Sequence, residues 1–568
     1  MARIKTDKKA KPPALPIGNS DWVHVVANDW HADKTQLISG LLDRDATVAI
    51  FTRPRRFGKT FAMRMLQAFF EKTERSNAHL FKCTKVWQNA SYRAEQGKYP
   101  VIFITLKDAK GSDWAETREM IADAVRDEYD RHRAVFMAEG CLATARKFHH
   151  QLCEEVVTPR NLQKALGILA AALHAHHGER PVILIDEYDS PINHAATHGF
   201  GEECLQFFRN FLSGALKDGV HCRLGVITGI LRVAKEGVLS GLNNPEVWSV
   251  FDDDFSDCFG FTEGEVKNLL SACGHPEKIA EAKDWYDGYR FGSAEIYNPW
   301  SVLNYARRDF TPRAYWLDTS SNDLVGDVLS RLSSEMRDTV VNLFEKKEGE
   351  ATVSPELGPY GLIQDNEEVL WSLLIHTGYL KITAGPDSNG TATIAFPNRE
   401  LAFVFRDDII ARMKRHPSGH LVGCLTRALS SGDAERFRKA IEDFLVSSAS
   451  YFDMAKEDFF HGLLLGLLAT MNGDYEIKSN REGGDGRPDI LMKPRPGVTL
   501  PGVILELKSP KIPPRASQKR VNVLLASAAK KARKQIDDKH YAAEMEAESI
   551  SVLKYGIGFN CKHVALMK

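Results

Sequence analysis

The 568-residue chain lacks the features that mark secreted, membrane or fibrous proteins. Its nine cysteines include no Cys-x-x-Cys pair. An odd, scattered set forms no complete disulfide framework, so they read as reduced thiols of an intracellular, cytoplasmic protein. The opening stretch, "MARIKTDKKAKPPALP", has no apolar core of the kind a signal peptide carries. The longest apolar runs, such as "LLLGLLATM", fall far short of the ~20 residues of a membrane span. Charge of one sign is missing too. Lys and Arg number 74 against 75 Asp and Glu, a net of -1, so any affinity for nucleic acid must come from local patches. No internal repeat is found. What is present is an ordinary hydrophobic content of 43%, enough for sizeable cores. At roughly 150 residues per domain, the length suggests three or four.

Residues 1–18, rich in Lys and Pro, read as a disordered lead-in. Over 19–265, the β-branched runs "TVAIFT", "PVIFITL", "RPVILIDEY" and "CRLGVITGI" alternate with helical patterns. Such alternation predicts an α/β domain with a parallel sheet. A helix-rich middle spans 266–440. Within it, "VLWSLLIHTGYL" followed by "KITAGPDSNGTATIAFP" predicts a helix and then a hairpin tipped by Asp387, Ser388, Asn389 and Gly390, a pattern that suits a winged helix. Residues 441–568 change character again: a helix, three strand-like runs and a basic helix predict a second α/β domain.

The stretch "FTRPRRFGKT" at 51–60 ends like a phosphate-binding loop and begins with the wrong residue. A P-loop runs glycine, four residues, then Gly-Lys-Ser/Thr. Gly58, Lys59 and Thr60 are in place, but Arg53 and Pro54 stand at its start. The context is strand, tight loop and helix, which aims unpaired N–H groups at a phosphate. Lys59 would reach the β- and γ-phosphates of ATP, and the Thr60 hydroxyl would hold Mg²⁺. "PVILIDEYDSP" is an apolar strand ending in Asp186, suited to hold Mg²⁺, and Glu187, suited to polarise the attacking water. "GVITGI" brings Thr228, in the place of a polar γ-phosphate sensor, with Arg232 and Lys235 following as alternative phosphate contacts. Elsewhere, His194 and His198 have metal spacing but no third ligand nearby, which points away from zinc. "HAHH" at 174–177 reads as a helix end before Gly178.

In the C-terminal region, "YEIKSNREGGDGRPDILMKPRPGVTLPGVILELKSP" reads as a strand through Asn480, a turn at Gly483–Gly486, a strand "RPDILMK", a loop and a strand "GVILELK". Alternate residues of a strand share a face, so Glu506 and Lys508 project together, roughly 6.6 Å apart. Asp489 on the neighbouring strand can converge on them. Two carboxylates can hold one or two Mg²⁺ (or Mn²⁺) ions for phosphodiester hydrolysis, and the lysine can orient or help deprotonate water. Pro488 removes a backbone donor and suggests an edge or a bulge. Downstream, "KKARKQIDDKHY" is a basic helix carrying Gln535 and Tyr541, suited to neutralising backbone phosphates.

The motifs "TRPRRFGKT", "LIDEYDSP", "TGILRVAKEGVLSGLNNPEVWSV", "GFTEGEV" and "WYDGYRFGSAEIYNPWSVLNY" together resemble the AAA-ATPase-like family fused to a PD-(D/E)XK-type nuclease domain. The resemblance runs from about residue 20 onward. It implies that Arg53 belongs to the loop's usual form, with Arg55 and Arg56 adding charge beside Gly58, and that the "SNREGGDGRPDI…ILELK" pattern is a nuclease centre. It also places Glu457 where related nucleases carry an extra metal-binding acid. His461, four residues on, reads as a packing histidine, while Gly462 and Gly466 would let their helix lie close to the sheet. The expected function is an ATP-regulated, metal-dependent nuclease acting on DNA, with a role in defence against phage or other foreign DNA by analogy. The alternatives are a nucleotide-switched nucleic-acid-binding or signalling ATPase whose nuclease fold only binds, and an ATPase motor with the C-terminal domain as a tether. A homo-oligomer stays open.

Overall fold

The β-branched runs become strands, and their order brings three strand ends side by side. The computed structural model describes residues 13–44, 46–154, 157–217, 219–231, 242, 245–316, 339, 343, 347–354, 367–405, 427–429, 431–447, 460–461, 464–465, 468, 471, 474–479, 488–496, 498–513, 516–560 and 563–568. Two compact units divide the chain: residues 1–320 with 350–402, and residues 321–349 with 403–568. Among the described residues, no helix is long and apolar enough to cross a membrane.

In the first unit, β1 (Val48–Thr52), β2 (Val101–Thr105), β3 (Val182–Asp186), β4 (Leu224–Gly229) and β5 (Glu246–Trp248) form one parallel sheet in the order β2-β3-β4-β1-β5. Strands β1, β3 and β4 are buried throughout, as expected of a parallel sheet covered on both faces. Helices supply the cover. Leu166, Leu169 and Leu173 of helix Ala165–His177 and Phe208, Phe211 and Leu212 of helix Gly201–Leu216 share a core with Ile183, Ile185 and Ile227. Gly178 closes the first of these helices in the left-handed conformation, φ 73°, so the histidine run 174–177 is a helix end.

The first unit continues with helix Glu263–Ala272, started by a capping box in which Thr262 and Glu265 satisfy each other's backbone N–H. A short hairpin, β6 (Tyr289–Phe291) and β7 (Ala294–Ile296), precedes helix Pro299–Arg307, which is capped by Asn298. Further on, β8 (Gly349–Thr352), β9 (Lys381–Ala384) and β10 (Thr391–Ala395) form a three-stranded sheet beside helix Glu367–His376. Strands β9 and β10 pair antiparallel, so the expected helix and hairpin are both present.

In the second unit, β11 (Tyr475–Ser479), β12 (Ile490–Pro494), β13 (Gly502–Lys508), β14 (Val552–Asn560) and β15 (His563–Met567) form a mixed sheet in that order. Only β13 and β14 are parallel. Helix Gln518–Asp538 makes the crossover between them. The expected edge or bulge at Pro488 is corrected: β12 is an inner strand that begins at Ile490, so the proline lies outside the ladder and costs it no hydrogen bond.

Candidate nucleotide and nuclease sites

The candidate nucleotide site sits at the carboxyl ends of β1, β4 and β3, which are adjacent in the sheet. Helix Lys59–Phe70 starts at the lysine, with Gly58 in the left-handed conformation at its N-cap, φ 83°. Nothing lies within 4 Å of where a Gly58 side chain would begin, so the loop is open there. The Lys59 ammonium is buried and donates to the carbonyls of Arg53 and Pro54, both at 2.9 Å. Burial lowers its pKa, opposed by the charges of Glu187, Asp189 and Asp186. Thr60 Oγ1 donates to one oxygen of Asp186 at 2.7 Å, and Thr228 Oγ1 donates to the other at 2.6 Å. The three polar groups read from three separate motifs therefore meet at one carboxylate. Glu187 is next, at φ 54°, a backbone strain that re-aims its side chain after the strand end. Its pKa is raised by burial and by Asp186 and Asp189, against the pull of Lys59.

Arg53 answers the question posed by its position. Its guanidinium is wholly buried and donates to the carbonyls of Thr52 and Trp248 at 3.0 Å and of Phe255 at 3.3 Å. It lies over the rings of Phe259 and Phe291. Burial pushes its pKa down to about 10, which still leaves it charged at neutral pH. The arginine thus anchors the lip of the loop to the chain that follows β5. Phe57 does the same against Tyr289 and Phe291, with ring centroids 4.8 and 5.1 Å away. Arg56 stacks over Trp300 at 4.6 Å, and Arg55 is exposed on the loop.

Asp189 was not singled out from the sequence, although it stands in the quoted "DEYDSP". It is fully buried, and its Oδ2 accepts from the backbone N–H groups of Ile230 and Leu231 at 2.9 Å and from Asn193 at 3.1 Å. Tyr188 donates its hydroxyl to the Leu231 carbonyl. A side chain at Gly229 would begin 2.6 Å from Asp189 Oδ1, so glycine is required for this approach. The end of β3 is thereby tied to the first residues after β4. Arg232 and Lys235, which continue from there, lie outside the described residues. His194 and His198 stack on each other, and His194 Nε2 donates to the Gly111 carbonyl.

The second site forms where β12 meets β13. Ile490 pairs with Leu505, so Asp489 stands one step on, across from Glu506. The Asp489 N–H donates to Glu506 Oε2 at 3.4 Å, and Asp489 Oδ2 accepts from the Leu507 N–H at 2.7 Å. Lys508 Nζ lies 3.9 Å from Glu506 Oε1. Glu506 is buried, 3% exposed, whereas Lys508 is one-third exposed. Gln535, from the crossover helix, donates its amide to Glu506 Oε1 and also contacts the Tyr541 hydroxyl at 3.4 Å. His461 is buried and donates Nε2–H to the Asp489 carbonyl at 2.8 Å, a positioning contact more specific than packing. Glu457, Gly462, Gly466 and the turn 483–486 lie outside the described residues.

Two glycines missed in the sequence make this assembly possible. Gly556 and Gly558 of β14 pair with Glu506 and Lys508 of β13. A side chain on Gly556 would begin 2.2 Å from Arg533 N, and one on Gly558 2.2 Å from the Leu525 carbonyl oxygen. Only glycine lets the crossover helix lie this close, which carries Gln535 to Glu506. The alternation "YGIGF" was the available signal.

Both donor sets fit the groups they would hold. Asp489 and Glu506 offer hard oxygen ligands of the kind Mg²⁺ takes. Lys59, the helix N-terminus and the Thr60–Asp186 pair offer a cation, N–H groups and oxygen ligands for a nucleotide with its metal. Residues 16–239 match the AAA-ATPase-like family, described as a predicted AAA-ATPase, and residues 455–568 match the PD-(D/E)XK nuclease superfamily. Over 320 residues the chain is 28% identical to an uncharacterized protein in the vnfD 5′ region of Azotobacter chroococcum mcd 1, a match covering 56% of each chain. The chain thus spans about half the length of the curated relative it matches. These matches identify the chain as a fusion of an AAA-ATPase-like domain with a C-terminal domain of the PD-(D/E)XK nuclease superfamily.

Proposed function

We propose that the protein is an ATP-regulated, metal-dependent nuclease that cleaves the phosphodiester bonds of DNA in the cytoplasm. The observation that carries this reading is the convergence of Asp489, Glu506 and Lys508 on adjacent strand ends. A divalent ion held by Asp489 and Glu506 would acidify water and offset the charge of the phosphodiester. Lys508 orients the attacking water and helps take its proton. Gln535 and the Asp489 N–H fix the Glu506 carboxylate, and His461 fixes the Asp489 backbone. The exposed lysines of the crossover helix, Lys530, Lys531 and Lys534, would meet backbone phosphates.

At the other site, Lys59 would bind the phosphates of ATP, Thr60 and Asp186 would hold its Mg²⁺, and Glu187 would polarise water. Regulation requires that ATP bind two conformations with different affinity. The loop has neighbours that can differ between such states: Pro54 abuts Gly378, before β9, and Arg56 stacks on Trp300. The helical and winged-helix-like region of 266–440 would transmit the change, with Arg232 as a γ-phosphate reader. A nucleotide-gated nuclease suits defence against foreign DNA.

The test is plasmid DNA incubated with the protein and Mg²⁺ or Mn²⁺, with and without ATP, beside an RNA arm. Metal-dependent nicking whose rate changes with ATP is expected. Intact plasmid with every metal would leave the nucleotide-switched binding reading in its place. Cutting that ignores ATP at all concentrations would leave two independent activities.

A further inference from the structure

Helix Trp114–Arg131 and helix Ala143–Cys153 present three side chains that neither site uses: Asp130, His149 and Cys153. His149 and Cys153 are four residues apart, hence one turn apart on one helix face. His149 Nε2 lies 3.7 Å from Asp130 Oδ1 and 3.8 Å from Cys153 Sγ. All three donor atoms lie within 4.8 Å of one another, the one group of three His, Cys, Asp or Glu side chains so placed among the described residues. The His149 ring is buried and stacked on Phe136, centroids 4.6 Å apart and planes within 12°, which fixes the direction of Nε2. Asp130 and Cys153 are exposed, so an ion has a way in.

Two chemistries use these residue types. A nucleophilic relay sets the thiol at one imidazole nitrogen and the carboxylate at the other. Here both meet the same nitrogen, Nε2, so the carboxylate cannot orient the ring while the thiol gives up its proton to it. Donors gathered at one point instead describe ligands around a common centre. Tetrahedral Zn²⁺ with nitrogen and oxygen near 2.0 Å and sulfur near 2.3 Å sets its ligand atoms about 3.3–3.6 Å apart. The separations of 3.7 and 3.8 Å from His149 Nε2 exceed that spacing by a few tenths of an ångström. A set of thiolate, imidazole and carboxylate favours Zn²⁺ over Mg²⁺ or Ca²⁺, which take oxygen.

We propose that Asp130, His149 and Cys153 bind a zinc ion, with the fourth position open to water or a small exogenous ligand. The ion cross-links two helices whose apolar faces already meet through Val125, Tyr129, Phe148 and Leu152.

Cobalt(II) reads such a site directly, because a thiolate ligand gives it an intense ligand-to-metal charge-transfer band. The full chain, reduced and stripped of metal, is titrated with Co²⁺ and then with Zn²⁺. The expected result is a thiolate charge-transfer band that saturates at one equivalent, disappears on adding Zn²⁺, and is lost in Cys153→Ser. Cys153 is exposed, so this variant should fold, and its far-UV spectrum checks that. A second variant, Asp130→Asn, should keep the band and shift half-saturation to higher Co²⁺. Absence of the band in the parent, or its survival in Cys153→Ser, overturns the proposal.

Discussion

The candidate nucleotide and nuclease sites differ in how their parts are brought together. At the first, Asp186 and Thr228 come from the ends of two adjacent parallel strands and Lys59 and Thr60 from the start of the helix after the third, and each strand leads into its own motif. At the second, Asp489 and Glu506 come from an antiparallel pair, but a side-chain donor to Glu506 arrives from a helix about thirty residues downstream. A parallel sheet aligns its carboxyl ends by construction, so local sequence suffices to set the geometry. The mixed sheet needs a long-range approach, and Gly556 and Gly558 are its condition. The first site should therefore fail by losing a group, and the second by losing either a group or the packing that presents it.

The largest effect should come from Glu506→Gln, which keeps the shape and removes the charge. Cleavage should fall by on the order of 10³-fold, the scale of losing a charge-stabilising group. DNA binding measured by anisotropy should persist. A variant that cuts at the parent rate would remove Glu506 from the centre and dissolve the comparison.

What could be read beforehand follows the same division. "LIDEYDSP" and "FGKT" are contiguous, and their strand–loop–helix context fixes where each side chain goes. Strands β1 to β4 were legible because a buried parallel strand is a run of β-branched residues, whereas β5, three residues long, carries too little pattern. Asp189 escaped because its partners are backbone N–H groups of another strand end, which have no letter in the sequence. The role of Arg53, which departs from the P-loop's first glycine, is hidden for the same reason: its partners are the carbonyls of Thr52, Trp248 and Phe255. At the nuclease site, Glu506-x-Lys508 was legible from the two-residue period. The Gln535 contact depends on helix-to-sheet distance, which only the two glycines encode.

A second prediction tests how tightly the nucleotide loop is bound into its unit. Glu400 is buried; its Oε1 accepts from Ser301 Oγ and the Trp316 N–H, both at 3.0 Å, and Arg56 of the loop acts on it electrostatically. Burial raises its pKa from the ordinary 4.5 to about 7. Between those values the folded chain keeps a proton that the unfolded chain has released, so stability falls as pH rises through that window. The loss amounts to about 3 kcal/mol and is complete above the folded pKa. Glu400→Gln stays neutral and should abolish this part of the pH dependence. Denaturant unfolding of parent and variant at about pH 5 and about pH 8 checks it. Parallel pH profiles would show that Glu400 does not titrate in this window.

Lys59→Ala should weaken ATP binding by about tenfold to a hundredfold, the worth of one charge-assisted contact. Glu187→Gln should bind ATP like the parent and hydrolyse it slowly. Calorimetry separates the two. Parent-like affinity in Lys59→Ala would mean that the ammonium stays on the carbonyls of Arg53 and Pro54 when ATP is bound.

The smallest effect is expected at Gln535, where the comparison is sharpest. Its amide donates to a buried carboxylate oxygen that Lys508 Nζ approaches only to 3.9 Å, so Gln535→Ala removes a close hydrogen bond from Glu506 Oε1. The carboxylate should then lose orientation rather than charge. Outer-shell contacts of this kind change metal affinity or activity by about tenfold or more. The Mn²⁺ concentration for half-maximal cleavage should rise by about that factor, with DNA affinity unchanged. Gly556→Ala should reach the same defect by another route, since its new methyl group meets Arg533 N and lifts the helix. Overpacking of this sort costs about 1–3 kcal/mol, so its unfolding midpoint should drop while that of Gln535→Ala holds. If Gly556→Ala is destabilised yet keeps the parent's Mn²⁺ requirement, the helix does not present Gln535 to the site. The second centre would then be as local as the first.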